Sequence, residues 1–231
     1  MYSISRKGLI VSAVSLLALT GMTACAKNDS MMSSSMQAQA ADSNGMVMAA
    51  ADGPAADLRS ALDSLLGEHV QLAADATNAA LNGREGEFKA AAAALDANSV
   101  DIANAVGSVY GKDAGEAFLG LWRSHIGMVV DYTVGTASKD KKAQDKAVGE
   151  LIQYTQDFGA FMNSANPNLP QEAVADLVKH HAITLKEVID AQAAGDQERA
   201  YKALRVAYSH MASIAEALAQ AIAKQFPEKF A

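Results

Sequence analysis

The chain has 231 residues, 50% of them hydrophobic, with 26 acidic against 19 basic side chains and a formal charge of −7. An acidic balance with no basic patch excludes a surface that tracks nucleic acid phosphates, and it disfavours charge-driven binding to anionic lipid. A single cysteine, Cys25, excludes a disulfide framework and any cysteine-based metal site.

Residues 1–24 have the order of a secretory signal. Arg6 and Lys7 come first, an apolar run follows from Leu9 to Leu19, and small residues lead to Met22-Thr23-Ala24-Cys25. The apolar run is too short to span a bilayer comfortably. The ending resembles the lipobox of bacterial lipoproteins, which implies lipidation of Cys25 and an extracytoplasmic, membrane-anchored location. Met22 departs from the usual leucine of that motif, so an ordinary signal-peptidase cut is the alternative. Removal of the leader takes away two basic groups and no acidic ones, leaving a charge of about −9.

Residues 25–54 hold the lipid attachment position and then Ser, Ala, Gln, Gly, Asp and Met without an apolar period. That composition predicts a flexible tether. Its five methionines (Met31, Met32, Met36, Met46 and Met48) offer soft thioethers that suit Cu(I).

From residue 55 to 231 the apolar pattern is helical. Leu58, Leu62, Leu65, His69, Leu72 and Ala76 form one stripe at steps of three and four. Five more stripes follow, the last through Tyr201, Leu204, Tyr208, Met211 and Leu218. Asn82-Gly83, Gly111, Asn166-Pro167 and Gly195 punctuate them. The expectation is an all-α fold of six helices, over about 55–82, 84–109, 113–136, 140–164, 170–194 and 196–225. Short connections make successive helices antiparallel, giving three tandem hairpins (about 55–110, 112–165 and 169–226) packed in a bundle.

An internal repeat supports that division. His69, His125 and His181 stand 56 residues apart, each four residues after a leucine: Leu65, Leu121 and Leu177. Each histidine takes the centre of an apolar stripe, where leucine would be ordinary. A buried imidazole without a partner costs about 1–3 kcal/mol, so partners are expected. Counting across each hairpin turn proposes Asp101 for His69, Asp157 for His125 and His210 for His181, each six residues after a stripe leucine.

Two readings follow. In one, the histidines and the facing groups are metal ligands, since facing helices of a bundle can converge imidazoles and carboxylates on one ion. His181 with His210, aided by His180, Met211 or Glu187, is then the richest cluster, and a copper or zinc ion the candidate. In the other, each histidine is a buried polar pin that fixes hairpin register. Asp75, Asp131 and Glu187, six residues after the histidines, are expected at edges, because six steps turn about 240° around a helix. Trp122 reads as a core anchor.

No Gly-rich phosphate loop, nucleophile elbow, Cys–His pair or His-Glu-x-x-His helix occurs in the sequence. The Glu-x-x-His pair of di-iron bundles is absent as well. These absences favour a non-catalytic protein.

The segments Leu121-Trp122-Arg123-Ser124-His125-Ile126-Gly127, Asp131-Tyr132-Thr133 and Ala165-Asn166-Pro167-Asn168-Leu169-Pro170 resemble a group of secreted bacterial helical proteins. Some of that group carry a domain named after copper amine oxidase. The similarity spans roughly residues 57–228 and implies an extracytoplasmic role, with no catalytic residues to carry over. The expected function is a lipid-anchored envelope protein that binds a transition metal, copper or zinc, for sequestration or delivery. The alternative is a structural or interaction module that docks a protein partner.

Overall fold

Seven α-helices make up the residues described by the computed structural model, 53–230. They are α1 Pro54–Leu81, α2 Glu85–Tyr110, α3 Lys112–Ala137, α4 Lys141–Ala165, α5 Gln171–Ala193, α6 Gln197–Gln225 and the short α7 Pro227–Phe230. No strand occurs among the described residues. The fold is an all-α bundle, as the apolar periods require, with boundaries within a few residues of those read from sequence. The one-turn α7 after Pro227 is an addition. Cys25, the signal-like segment and most of the methionine-rich tether lie outside the described residues. Among the described residues, no helix is long and apolar enough to cross a membrane.

The repeat is visible in the turns. Gly83, Lys139 and Gly195, 56 residues apart, all take left-handed backbone, with φ of 67°, 57° and 71°. Each follows the end of an odd-numbered helix. The next N–H reaches back to the helix in all three: Arg84 to the Ala79 carbonyl (2.9 Å), Asp140 to Gly135 (2.8 Å) and Asp196 to Ala191 (3.0 Å). This is the six-to-one bond of a Schellman ending, which satisfies a carbonyl that the last turn leaves free. The same residue starts the following helix. Asp140 and Asp196 accept from the N–H groups of Ala143 and Arg199 at 3.0 Å, as N-caps do.

The hairpins close into a ring. Each of α1 to α5 packs on its successor, and α6 packs back on α1. The odd helices α1, α3 and α5 also touch one another across the middle. Three similar hairpins arranged this way approximate threefold symmetry, so residues 56 apart on the odd helices meet near one axis. Leu62, Phe118 and Val174 form one such buried layer, at 6%, 3% and 4% exposure.

Small residues set the close approaches between hairpins. A Cβ at Gly159 would stand 2.5 Å from the Gln171 carbonyl oxygen, and one at Gly115 would stand 2.7 Å from the Ala103 carbonyl oxygen. The buried face of α6 is mostly alanine: Ala200, Ala203, Ala207, Ala215 and Ala219, with Met211 among them. Tyr201 and Tyr208, expected on the core stripe, are instead 64% and 50% exposed. Alanine leaves no bulk between α6 and its neighbours, so the wide rings fall at the margin.

Polar ties lock the ends of the ring. Asn166 donates to the Tyr110 hydroxyl (3.1 Å), Tyr110 donates to Gln225 (3.0 Å) and Gln225 donates to the Ala165 carbonyl (2.9 Å). Gln192 of α5 donates to the Ala74 carbonyl of α1 (3.0 Å) and accepts from Thr77 (2.9 Å). These bonds, buried or half-buried, join different hairpins and fix their register.

Candidate metal centre

His69, His125 and His181 converge inside the ring. Each sits on an inner helix at the same repeat position, with 1%, 5% and 6% of its surface exposed. Ring centroids lie 5.5 Å apart for His69 and His125, 5.7 Å for His69 and His181, and 6.5 Å for His125 and His181. One nitrogen from each falls within 4.8 Å of the other two. Among the described residues, this is the one grouping of three or more His, Cys, Asp or Glu side chains placed to share an ion.

Hydrogen bonding explains little of the trio: the one partner in reach is the Trp122 carbonyl, one turn before His125 and outside good hydrogen-bond geometry. His69 Nδ1, His125 Nδ1 and both ring nitrogens of His181 are buried and unpartnered. A register pin would donate an N–H to a carbonyl or hydroxyl. Four unpartnered imidazole nitrogens within one core are costly unless something else occupies them.

Trp122 and Tyr154 enclose the cluster. The Trp122 ring lies 4.8 Å from His69 and 4.7 Å from His125, and stacks on Phe118 at 5.2 Å. Tyr154 lies 5.1 Å from His125. Trp122 is therefore a core residue, as read from sequence, and it also walls the site. Its Nε1 and the Tyr154 hydroxyl are again buried without partners.

Burial holds the imidazoles neutral. The His125 pKa falls to about 3, chiefly by desolvation and secondarily because a charge on His181 would repel it. That of His181 falls to about 4, by desolvation and then by His210. That of His69 is driven well below the usual histidine value by desolvation, then by His125 and His181. Neutral imidazole is the metal-binding form.

The carboxylates proposed across each hairpin are not at the site. Asp101 and Asp157 are exposed, and Asp157 accepts from Gln153 on its own helix at 3.0 Å. His210 is also outside the trio. Its Nε2 donates to the Leu177 carbonyl at 2.9 Å, and its ring stacks on exposed His180 with centroids 4.2 Å apart. Glu187 is exposed and paired with Arg199 at 2.6 Å. Asp75 and Asp131 are exposed too, as their spacing required.

The error lies in register. Counting from Leu95, Leu151 and Leu204 led to Asp101, Asp157 and His210, but Leu204 is not the repeat equivalent of the other two. Ala207 is, 56 residues after Leu151. The true equivalents of His210 are Asn98 and Tyr154. The structure agrees, because Asn98 donates to the Leu65 carbonyl at 3.0 Å with the same 33-residue separation as His210 and Leu177. Tyr154, a wall residue 56 positions before His210, is legible once this register is used.

Three imidazoles without thiolate or carboxylate suit copper, zinc, iron or nickel. Nitrogens at about 2.0–2.1 Å from a tetrahedral ion stand about 3.3 Å apart. The 4.8 Å spread would need to contract by about 1.5 Å for one tetrahedral ion to bind all three. No family model, curated protein or solved structure matches this chain, so the site stands on its own geometry.

Proposed function

We propose that the protein binds one transition-metal ion, with copper preferred, between His69, His125 and His181. The observation that carries this reading is the convergence of three buried imidazoles from three hairpins with their Nδ1 atoms unpartnered. Repeat duplication explains why a histidine recurs; it does not explain why the cost of three unpartnered ones is tolerated. An ion that takes one lone pair from each ring removes most of that cost, leaving one N–H of His181 without a partner.

Copper is favoured by charge and softness. Cu(I) brings a single charge into a core without a carboxylate, and Met211, 1% exposed, shares a cavity wall with His125 and His181. Deep burial slows exchange, so holding the ion fits this site better than rapid delivery. Attachment at the bacterial envelope through a lipid on Cys25 is part of the same reading and is supported by the lipobox-like Met22-Thr23-Ala24-Cys25. Fractionation of cells making Cys25→Ser tests that part: release of an otherwise membrane-bound chain is expected, and a wild-type chain already free of membranes overturns it.

Calorimetric titration of the purified chain with Cu(I), Cu(II) and Zn(II) tests the metal site. One ion per chain is expected, bound more tightly than about 10 μM, a free energy near −7 kcal/mol. Failure of all three ions to reach that affinity overturns the reading.

A further inference from the structure

The three interfaces between hairpins are equivalent by the repeat, but they are not closed alike. Positions 96, 152 and 208 on the even-numbered helices are repeat equivalents, and so are positions 123, 179 and 67 on the odd-numbered helices they meet. Between α2 and α3 the pair is Asp96 and Arg123, joined by two hydrogen bonds of 2.7 and 2.8 Å. Between α6 and α1 it is Tyr208 and Gly67, and the phenol lies so close over the glycine that a Cβ there would stand 2.8 Å from the hydroxyl oxygen. Between α4 and α5 it is Ile152 and Lys179. An alkyl group and an ammonium can make neither contact.

A groove of about 90 Å³ remains at that third interface. Its floor includes the buried Leu151, Leu185 and Ile189, and its rim carries Ile152 and Ile183, 49% and 56% exposed. Lys179, Ile183 and Lys186 follow one another along one face of α5, so the groove runs for about 10 Å at 1.5 Å per residue. Its two ends differ in charge. Lys186 donates to Asp190 at 2.6 Å, and the Tyr132 hydroxyl donates to the other oxygen of the same carboxylate at 2.6 Å, so that end is neutralised. Lys179 is exposed and has no ion-pair partner among the described residues. It keeps the cation of the Asp96–Arg123 pair, while Ile152 stands where the acid would be.

We propose that the groove between α4 and α5 binds a medium-chain aliphatic carboxylic acid, with its carboxylate on Lys179 and its alkyl chain lying past Ile152 and Ile183 toward Tyr132. The ligand brings the acid that Asp96 provides between α2 and α3. Its chain covers the apolar rim that an ion pair or a tyrosine covers at the other two interfaces, which removes that surface from water. One free cation at one end of an apolar trough matches one carboxylate at one end of an alkyl chain. None of the three central histidines lines the groove, so this site and the metal centre stand or fall separately.

Octanoate below its micellar concentration is the probe, titrated into the full chain by calorimetry beside octanamide, which has the same chain and no charge. The wild-type protein is expected to bind one octanoate saturably and octanamide about threefold or more weakly, the worth of one exposed ion pair. Lys179→Gln is expected to weaken octanoate by a similar factor, about threefold. Ile152→Asp rebuilds the pair found between α2 and α3, and its new carboxylate both engages Lys179 and repels the ligand, so octanoate is expected to bind about tenfold or more weakly. Both positions are exposed, so both variants are expected to keep the helical circular dichroism of the wild type. Absence of saturable octanoate binding overturns the inference, as does equal affinity for octanamide or an octanoate affinity unchanged in both variants. Sedimentation of the same samples is expected to show no association through this face. A wild-type dimer that Ile152→Asp makes monomeric would assign the groove to a second copy of the chain and overturn the inference as well.

Discussion

The Nε2 of His210 donates to the carbonyl oxygen of Leu177 across the third hairpin at 2.9 Å, the contact that Asn98 makes to Leu65 in the first. This equivalence makes His210 a packing residue. His210→Asn should therefore preserve the bond, with little change in stability. His210→Ala should cost about 1 kcal/mol, an ordinary hydrogen bond. Urea unfolding of the metal-free chain measures both, and equilibrium dialysis should show metal uptake unchanged in each.

The inner histidines should behave oppositely. His181→Leu removes a ring whose two nitrogens are both unpartnered, and it supplies the residue its stripe calls for. Metal-free stability should hold or rise, by up to about 2 kcal/mol. Metal affinity should fall by about 100-fold or more, since one of three ligands is gone. Unfolding and dialysis on the same variant report the two effects separately. A variant that loses stability and keeps the metal would reverse the assignment.

Metal-free stability should fall steeply on mild acidification. The unfolded chain protonates its histidines near the usual value of about 6.5. In the folded chain His125 and His181 wait until about 3 and 4, and His69 also titrates far below the usual range. Between those limits the unfolded state binds more protons, so stability declines as pH falls below 6.5. Three such groups lower it by about 4 kcal/mol between pH 7 and 5.5. Metal affinity of the folded chain should persist below pH 6.5, contrary to the expectation from an ordinary histidine. A chain with all three histidines replaced by leucine should lose most of this pH dependence in urea titrations.

Lys139 is the one non-glycine among the described residues with left-handed backbone, and its equivalents in the other turns are Gly83 and Gly195. Lys139→Gly should raise stability by about 1 kcal/mol, because a Cβ in that conformation is crowded. A midpoint shift in thermal unfolding checks it. No such gain would mean that the lysine side chain offsets its own strain.

Much of this architecture is written in the period of 56. His69, His125 and His181 interrupt apolar stripes conspicuously, and Gly83 and Gly195 mark two of the three equivalent turns. What stayed hidden is the closure. Sequence spacing invites pairing across each hairpin, from His69 to Asp101 or from His181 to His210. The ring instead brings helices of equal rank together, which no local count reveals. The register of α6 was obscured because its buried face is alanine, whose weak hydropathy signal is outweighed by Tyr201, Leu204 and Tyr208. Two of those three side chains prove to be exposed.

X-ray absorption at the copper edge of the full chain, loaded with one Cu(I), tests most directly whether one ion sits among His69, His125 and His181. The expected spectrum has nitrogen neighbours at about 2.0 Å and the outer-shell scattering of three imidazole rings. Each of His69→Leu, His125→Leu and His181→Leu should remove one ring from that pattern or abolish loading, and His210→Asn should leave it intact. A first shell of oxygen or sulfur with at most one imidazole would contradict the assignment, as would a wild-type pattern in any of the three leucine variants.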